Sequence, residues 1–319
     1  MIKQTSVDRK AAETDIKARY FLVGCVRSGT TLLTAILASH PCIASFPETM
    51  FFRYLFGNAG VRYYGKPLKG PKSVARWVLN EVRPKLGLAA PAGRARVSDF
   101  LREISREDLI GLFPPDGQSL DADIKGCLRI LDALAAEQEK PIWIEKSPDH
   151  LAYIDEIARH VPNTKFVHLV RNGPDNIASI MDAARKYPDT HWNSNWGTLD
   201  RCITQWTHCI KISRRYASNP NHLIVNYDDL VTNTEAELMR VCAFLGVEYA
   251  PEMLTTYQSG AKDIVLKSSK WKQGVFESIK PNTSKIGMFN ETEMNTIADG
   301  LKELSSDPIF GPLCVARSH

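Results

Sequence analysis

The chain has 319 residues, 44% of them hydrophobic and 24% charged, a length that one α/β domain with insertions reaches. This balance excludes a disordered chain and a membrane-embedded one. The 40 basic against 36 acidic side chains leave a formal charge of +4, too small to coat a nucleic acid but compatible with a local basic pocket for an anionic ligand.

Residues 1–18 form a polar lead-in of mixed charge, with no apolar stretch of signal-peptide length. No run approaches the ~20 apolar residues of a spanning helix, so the expected location is the cytoplasm, with no membrane span. Tyr20-Phe21-Leu22-Val23 is a short apolar run entering Gly24 and reads as a buried strand. Thr30 to Ser39 has helical spacing and is stopped by His40-Pro41. Residues 42–46 read as a second strand, ending at Pro47-Glu48. From about 50 to 138 no clear strand is found. Aromatics (Phe51, Phe52, Tyr54, Phe56, Tyr63, Tyr64) and helix-like pieces at 72–83 and 119–138 are separated by loops rich in Gly, Pro and Ala.

The strand signal returns at Pro141-Ile142-Trp143-Ile144, followed by a helix over 149–160. Lys165 to Val170 is the next strand and 174–185 the next helix; a long helical stretch covers 199–217. His222 to Val225 is a further strand, with a helix over 232–245. Strands alternating with helices imply parallel pairing with right-handed crossovers. With no repeat and no dividing linker, residues 1–319 read as one α/β domain: a P-loop-like parallel sheet flanked by helices, with a helical insertion at about 50–138. The seven scattered cysteines contain no CxxC pair and no Cys/His quartet of zinc spacing, and read as buried free thiols in a reducing compartment.

The strongest local signal is Val23-Gly24-Cys25-Val26-Arg27-Ser28-Gly29-Thr30-Thr31-Leu32. A strand runs into a loop with glycines five apart, and the loop opens a helix. Backbone N–H groups and the positive helix end there converge on one anion. A nucleotide-triphosphate loop would carry a lysine after the second glycine; here Thr30 takes that place and the basic residue is Arg27. The loop therefore suits a shorter anion. A second candidate anion site is Phe166 to Gly173, a strand ending in Arg171, with Ser179 eight residues on along the next helix. An arginine at a strand end can grip phosphate bidentately, and ligands of open α/β sheets gather there.

Arg27-Ser28-Gly29-Thr30-Thr31 resembles the 5′-phosphosulfate loop of sulfotransferases that use 3′-phosphoadenosine-5′-phosphosulfate (PAPS), in the arginine form of tyrosylprotein and many bacterial sulfotransferases. The resemblance covers roughly residues 20–48 and 141–290. It implies Arg171 and Ser179 as 3′-phosphate ligands. It implies Tyr227, in Asn226-Tyr227-Asp228-Asp229-Leu230, as a residue on the adenosine side, against the reading of a half-buried core tyrosine. It implies Lys285 as a second 3′-phosphate contact, with Lys270, Lys272 and Lys280 as rivals. The product would be adenosine 3′,5′-bisphosphate, and no metal is required, since the transferred SO₃ is neutral in isolation. The segment from about 50 to 138 lies outside the resemblance and is where acceptor recognition is expected.

Sulfuryl transfer asks for in-line attack and for stabilisation of charge on the departing phosphate oxygen. Arg27 and the loop amides can supply the latter. Glu48, 21 residues beyond Arg27 in Pro47-Glu48-Thr49, lies at the offset of the family's Glu-Thr pair and is by resemblance the general base. The plain alternative is a helix-start carboxylate. Lys146, in Glu145-Lys146-Ser147-Pro148, is by resemblance a contact to the leaving phosphosulfate, against a surface lysine. His150 is the rival base, though the Lys-Thr-His pattern of cytosolic members is absent. His191, Trp192 and Trp196 line an acceptor pocket or belong to the core. The expectation is a sulfotransferase acting on a hydroxyl or amine of an acceptor, a small molecule or biosynthetic intermediate, without nucleic-acid partners. Two alternatives are a nucleotide-dependent kinase on the same scaffold and a non-catalytic nucleotide-binding protein.

Overall fold

Five short apolar runs form strands: β1 (Ala18–Gly24), β2 (Ile43–Ser45), β3 (Ile142–Lys146), β4 (Phe166–Val170) and β5 (His222–Asn226). The computed structural model describes residues 15–57, 82–113, 119–266, 268–279 and 284–316. The strands pair in the order β2-β3-β1-β4-β5, all neighbours parallel. Parallel strands need crossovers, which the helices supply. These are α1 (Thr30–Ala38), α2 (Phe51–Phe56), α3 (Gly93–Glu103), α4 (Leu120–Glu137), α5 (Ile154–His160), α6 (Gly173–Lys186), α7 (His191–Trp196), α8 (Leu199–Tyr216), α9 (Tyr227–Thr232), α10 (Thr234–Leu245), α11 (Met253–Ile264) and α12 (Glu291–Leu301).

Alternation along β1 splits the core into two layers. Phe21 and Val23 join Trp143, Phe166, Trp206, Ile124 and Ile177 on one face. Tyr20 and Leu22 join Ile144, Val167, Leu169, Leu33, Ile36 and Leu238 on the other. Both faces are covered, which is why the inner strands read as continuous apolar runs. Gly24, where β1 leaves the sheet, lies so close to β4 that a Cβ there would sit 2.4 Å from the Leu169 carbonyl oxygen.

The elements depart from the sequence reading in several places. The helix expected over 149–160 begins as a 3-10 turn, Pro148–Tyr153, and becomes α-helical only at Ile154; a hydrogen bond of 2.8 Å from His150 Nδ1 to Glu145 ties this turn back to β3. The helix expected over 232–245 is α10, and a separate short helix, α9, precedes it because Asn226 caps it by accepting from the Asp228 N–H. Helices α11 and α12 were not expected. Within the 50–138 insertion, α4 fills the piece expected at 119–138, whereas α2 and α3 form outside the expected pieces; most of the piece at 72–83, with Tyr63 and Tyr64, lies outside the described residues.

The C-terminal ends of β1 and β4 are adjacent, and the chain leaves them towards opposite edges of the sheet. That switch point is where ligands of open α/β sheets sit.

Candidate active site

The loop after β1 is shaped by two left-handed residues. Gly29 (φ 93°) caps α1, and a Cβ on it would lie 2.3 Å from the Tyr227 ring. Arg27 has φ 66°, a conformation that costs a non-glycine residue about 1–2 kcal/mol. Asn176 of α6 fixes the loop from the side, donating to the Val26 carbonyl and to Ser28 Oγ, both at 3.1 Å. Ser28 and Thr30 are buried and Thr31 is half-buried. The Leu32 and Leu33 N–H groups close onto the Gly29 carbonyl, which leaves the Thr30 and Thr31 N–H groups at the start of α1 able to receive an anion.

The two candidate anion-binding segments lie against each other. Arg27 Nε donates to Ser179 Oγ at 3.3 Å, and Arg171 Nη1 donates to the Arg27 carbonyl at 3.2 Å. The Arg171 guanidinium lies 4.9 Å from the Tyr227 ring centroid. Tyr227 thus stacks on an arginine and packs against Gly29. Arg171 is buried, and its Nε has no hydrogen-bond partner. An unpaired buried guanidinium N–H is costly; an anionic oxygen placed against it would satisfy it. Two arginines, a serine hydroxyl and a helix start therefore fit a ligand with two phosphate-like groups.

Glu48 follows β2, and Lys146 ends β3; parallel pairing of these strands brings the two together. They form a direct ion pair. Lys272, from the 3-10 segment Lys270–Phe276, lies 3.1 Å from the same carboxylate. Burial pushes the Glu48 carboxyl up, but the two ammonium groups override this and hold it down to about 2. Burial pushes Lys146 down, Glu48 pulls it back, and the result is about 8. Sequence reasoning placed Lys272 only among the rivals for the 3′-phosphate; the structure sets it on Glu48. Its neighbour Trp271 accepts from Arg27 through its carbonyl at 3.1 Å. One short segment thereby touches both halves of the site.

A buried carboxylate, Glu145, underlies this arrangement and was missed as a functional residue. It accepts from Thr49 Oγ1 at 2.9 Å, Ser147 Oγ at 2.6 Å and His150 Nδ1 at 2.8 Å. The signal was a second charged residue, beside Lys146, in a buried strand that begins Ile-Trp-Ile. His150 Nε2 meanwhile accepts the Phe52 N–H at 3.2 Å. Both ring nitrogens of His150 are thus engaged within a buried network, and Glu48 is the carboxylate that reaches the lysines.

Trp192 and Trp196 are buried, whereas His191 is exposed. Trp271 joins them, with ring centroids 5.4 Å from His191 and 6.0 Å from Trp192, and the Arg27 guanidinium lies 5.9 Å from the Trp192 ring. The aromatic cluster therefore borders the arginine loop. Lys285 is 42% exposed and paired with Asp182, one turn beyond Ser179 on α6. Lys280 and the Lys270 side chain lie outside the described residues. Among the described residues, no group of three or more His, Cys, Asp and Glu is arranged to hold a metal ion, and no helix is long and apolar enough to cross a membrane.

Residues 20–251 match the family described as the sulfotransferase family. Among curated proteins, the chain is 24% identical over 303 residues to protein-tyrosine sulfotransferase A of Caenorhabditis elegans, covering 92% of this chain and 68% of that one. It is 26% identical to a putative protein-tyrosine sulfotransferase of Caenorhabditis briggsae, covering 88% and 84%. Among solved structures, the sulfotransferase domain of the Synechococcus PCC 7002 olefin synthase superposes with a TM-score of 0.54 at 19% identity, covering 92% of this chain and 96% of that one. A mouse sulfotransferase complexed with PAP superposes with a TM-score of 0.54 at 14% identity, covering 96% and 91%.

Proposed function

Because the chain belongs to the sulfotransferase family, we propose that it transfers the sulfuryl group of PAPS to an acceptor hydroxyl, with Glu48 as general base. The observation that carries this reading is the convergence of Arg27, Arg171 and Ser179 around an unsatisfied guanidinium N–H, beside the Glu48–Lys146 pair. PAPS supplies an activated S–O bond to a phosphate leaving group. In the proposed roles, Arg171, Ser179 and Tyr227 hold the adenosine 3′-phosphate end, with Lys285 as an outer contact. Ser28, Gly29, Thr30 and Thr31 hold the 5′-phosphosulfate by backbone and hydroxyl donors.

Glu48 takes the proton of the acceptor hydroxyl as its oxygen attacks sulfur. The bond from sulfur to the bridging oxygen breaks, and the electron pair stays on the departing phosphate. Arg27 and Lys146 stabilise the charge that grows there, donors fixed in place before the reaction. The kinase alternative is disfavoured by the family match and by the missing loop lysine. For the acceptor we propose a small molecule or biosynthetic intermediate, admitted beside the aromatic cluster of Trp192 and Trp271.

The test is a transfer assay with labelled PAPS and an acceptor library that includes tyrosine peptides, read by mass. A sulfated product with stoichiometric adenosine 3′,5′-bisphosphate is expected. Glu48→Gln should lower turnover by about 10²–10⁴-fold, the usual range for loss of a general base. Phosphorylated products from ATP–Mg²⁺ with none from PAPS would overturn the reading.

A further inference from the structure

One carboxylate in this site holds two buried ammonium groups. The Glu48 side chain is 18% exposed, Lys146 2% and Lys272 8%. The three converge from different parts of the chain: the loop after β2, the end of β3 and the 3-10 segment at Lys270–Phe276. In this arrangement both lysines spend their charge on the residue that must act as base. A carboxylate so neutralised accepts a proton poorly. An ammonium so neutralised is equally unavailable to a leaving phosphate. The trio nevertheless keeps one surplus positive charge, enough to attract an anion to the place where the carboxylate sits.

Resting on the reading above, we propose that Glu48 stands in for the donor's anion in the ligand-free enzyme, and that the incoming phosphosulfate takes Lys146 and Lys272 from it. Donor binding and release of the base are then a single exchange of ion pairs. Two consequences follow from the geometry. The base is idle until the donor is bound, so acceptor and water are not activated prematurely. Glu48 also opposes donor binding, because its ion pairs must be broken first. Lys272 becomes a donor-binding residue, delivered by the same segment whose Trp271 carbonyl holds Arg27.

The test is calorimetric titration with adenosine 3′,5′-bisphosphate, which reads binding without turnover. Glu48→Gln should bind it more tightly than the wild type by about tenfold or more, the scale of one charge-assisted hydrogen bond. Lys272→Met should bind it more weakly by a similar factor. In the Lys146→Met/Lys272→Met background the gain from Glu48→Gln should vanish, which separates ion-pair competition from plain repulsion between Glu48 and the ligand. A gain that persists there, or no gain in the single variant, overturns the exchange while leaving the PAPS reading standing. Wild-type protein that does not bind the bisphosphate overturns both. A crystal structure of the wild-type complex needs no variant to fold: Lys146 and Lys272 should lie on the 5′-phosphate, and both remaining on Glu48 would sink the proposal.

Discussion

At the scale of single residues, the candidate site is braced by a buried hydrogen-bond network. Glu145 is at its centre: burial alone would push its carboxyl up, yet hydrogen bonds from His150, Ser147 and Thr49 hold it below the ordinary glutamate value. Thr49 is the neighbour of Glu48, and the Met50 N–H donates to Ser147 Oγ at 3.0 Å. The network therefore fastens the loop that carries Glu48 to the end of β3, where Lys146 sits. Glu145→Gln keeps the volume but turns one acceptor oxygen into a donor facing other donors. Leaving a buried polar group unpaired costs about 1–3 kcal/mol, so the melting temperature should fall by a few degrees. As a positioning residue, Glu145 should affect kcat more than the affinity for adenosine 3′,5′-bisphosphate, because, of the groups proposed to hold that ligand, Arg171, Ser179 and Lys272 lie elsewhere in the chain and only Lys146 adjoins it. Scanning calorimetry, steady-state kinetics and bisphosphate titration on the same preparation check all three; a variant that only melts earlier would make Glu145 purely structural.

At the scale of elements, the start of α1 is tightly constrained. Gly29 and Gly246 both have positive φ, 93° and 80°, but a Cβ at Gly246 meets nothing within 4 Å whereas one at Gly29 strikes the Tyr227 ring. Alanine at either position should cost about 1–2 kcal/mol for the left-handed backbone. Gly29→Ala should additionally displace Tyr227 from Arg171 and weaken bisphosphate binding, while Gly246→Ala should bind normally. Urea unfolding gives the shared penalty, and titration gives the difference; equal affinities would separate Tyr227 from the site. The same elements explain what was legible beforehand. Parallel strands advertise themselves as apolar runs, so β1 to β5, Arg27 in the loop after β1 and Arg171 at the end of β4 were readable. Helix α12 was missed although its capping box, Asn290 with Glu293, is local; the residues it buries are Ile297 and Leu301. The meeting of Lys272 with Glu48 was not readable at all, since the contact is made by folding a late segment across the sheet and leaves no spacing pattern.

For the molecule as a whole, the sheet interior sets how stability responds to acid. His168 on β4 is fully buried, with Nδ1 3.1 Å from Ser213 Oγ and Nε2 2.9 Å from His222 Nδ1. Burial, with the neighbouring His222, holds His168 down to about 3; burial holds His222 down to about 4 despite Asp155. In the unfolded chain both titrate near their ordinary value of about 6.5. Between those limits the unfolded state binds more protons than the folded one, so stability is greatest above about pH 6.5 and falls as pH drops towards 4. His160, His191 and His208 are also pushed down by burial and act in the same direction. For His168 alone the slope below about pH 6 approaches 1.4 kcal/mol per pH unit. The unfolding free energy should therefore decline steeply from pH 6.5 to pH 5, before the carboxylates protonate in the folded state. His168→Gln retains a hydrogen-bonding side chain without a titrating ring and should flatten that decline even where it lowers stability at pH 7. Urea unfolding of both proteins across this range measures the two slopes. Parallel slopes would mean that the His168–His222 pair is not the acid-sensitive point of the sheet.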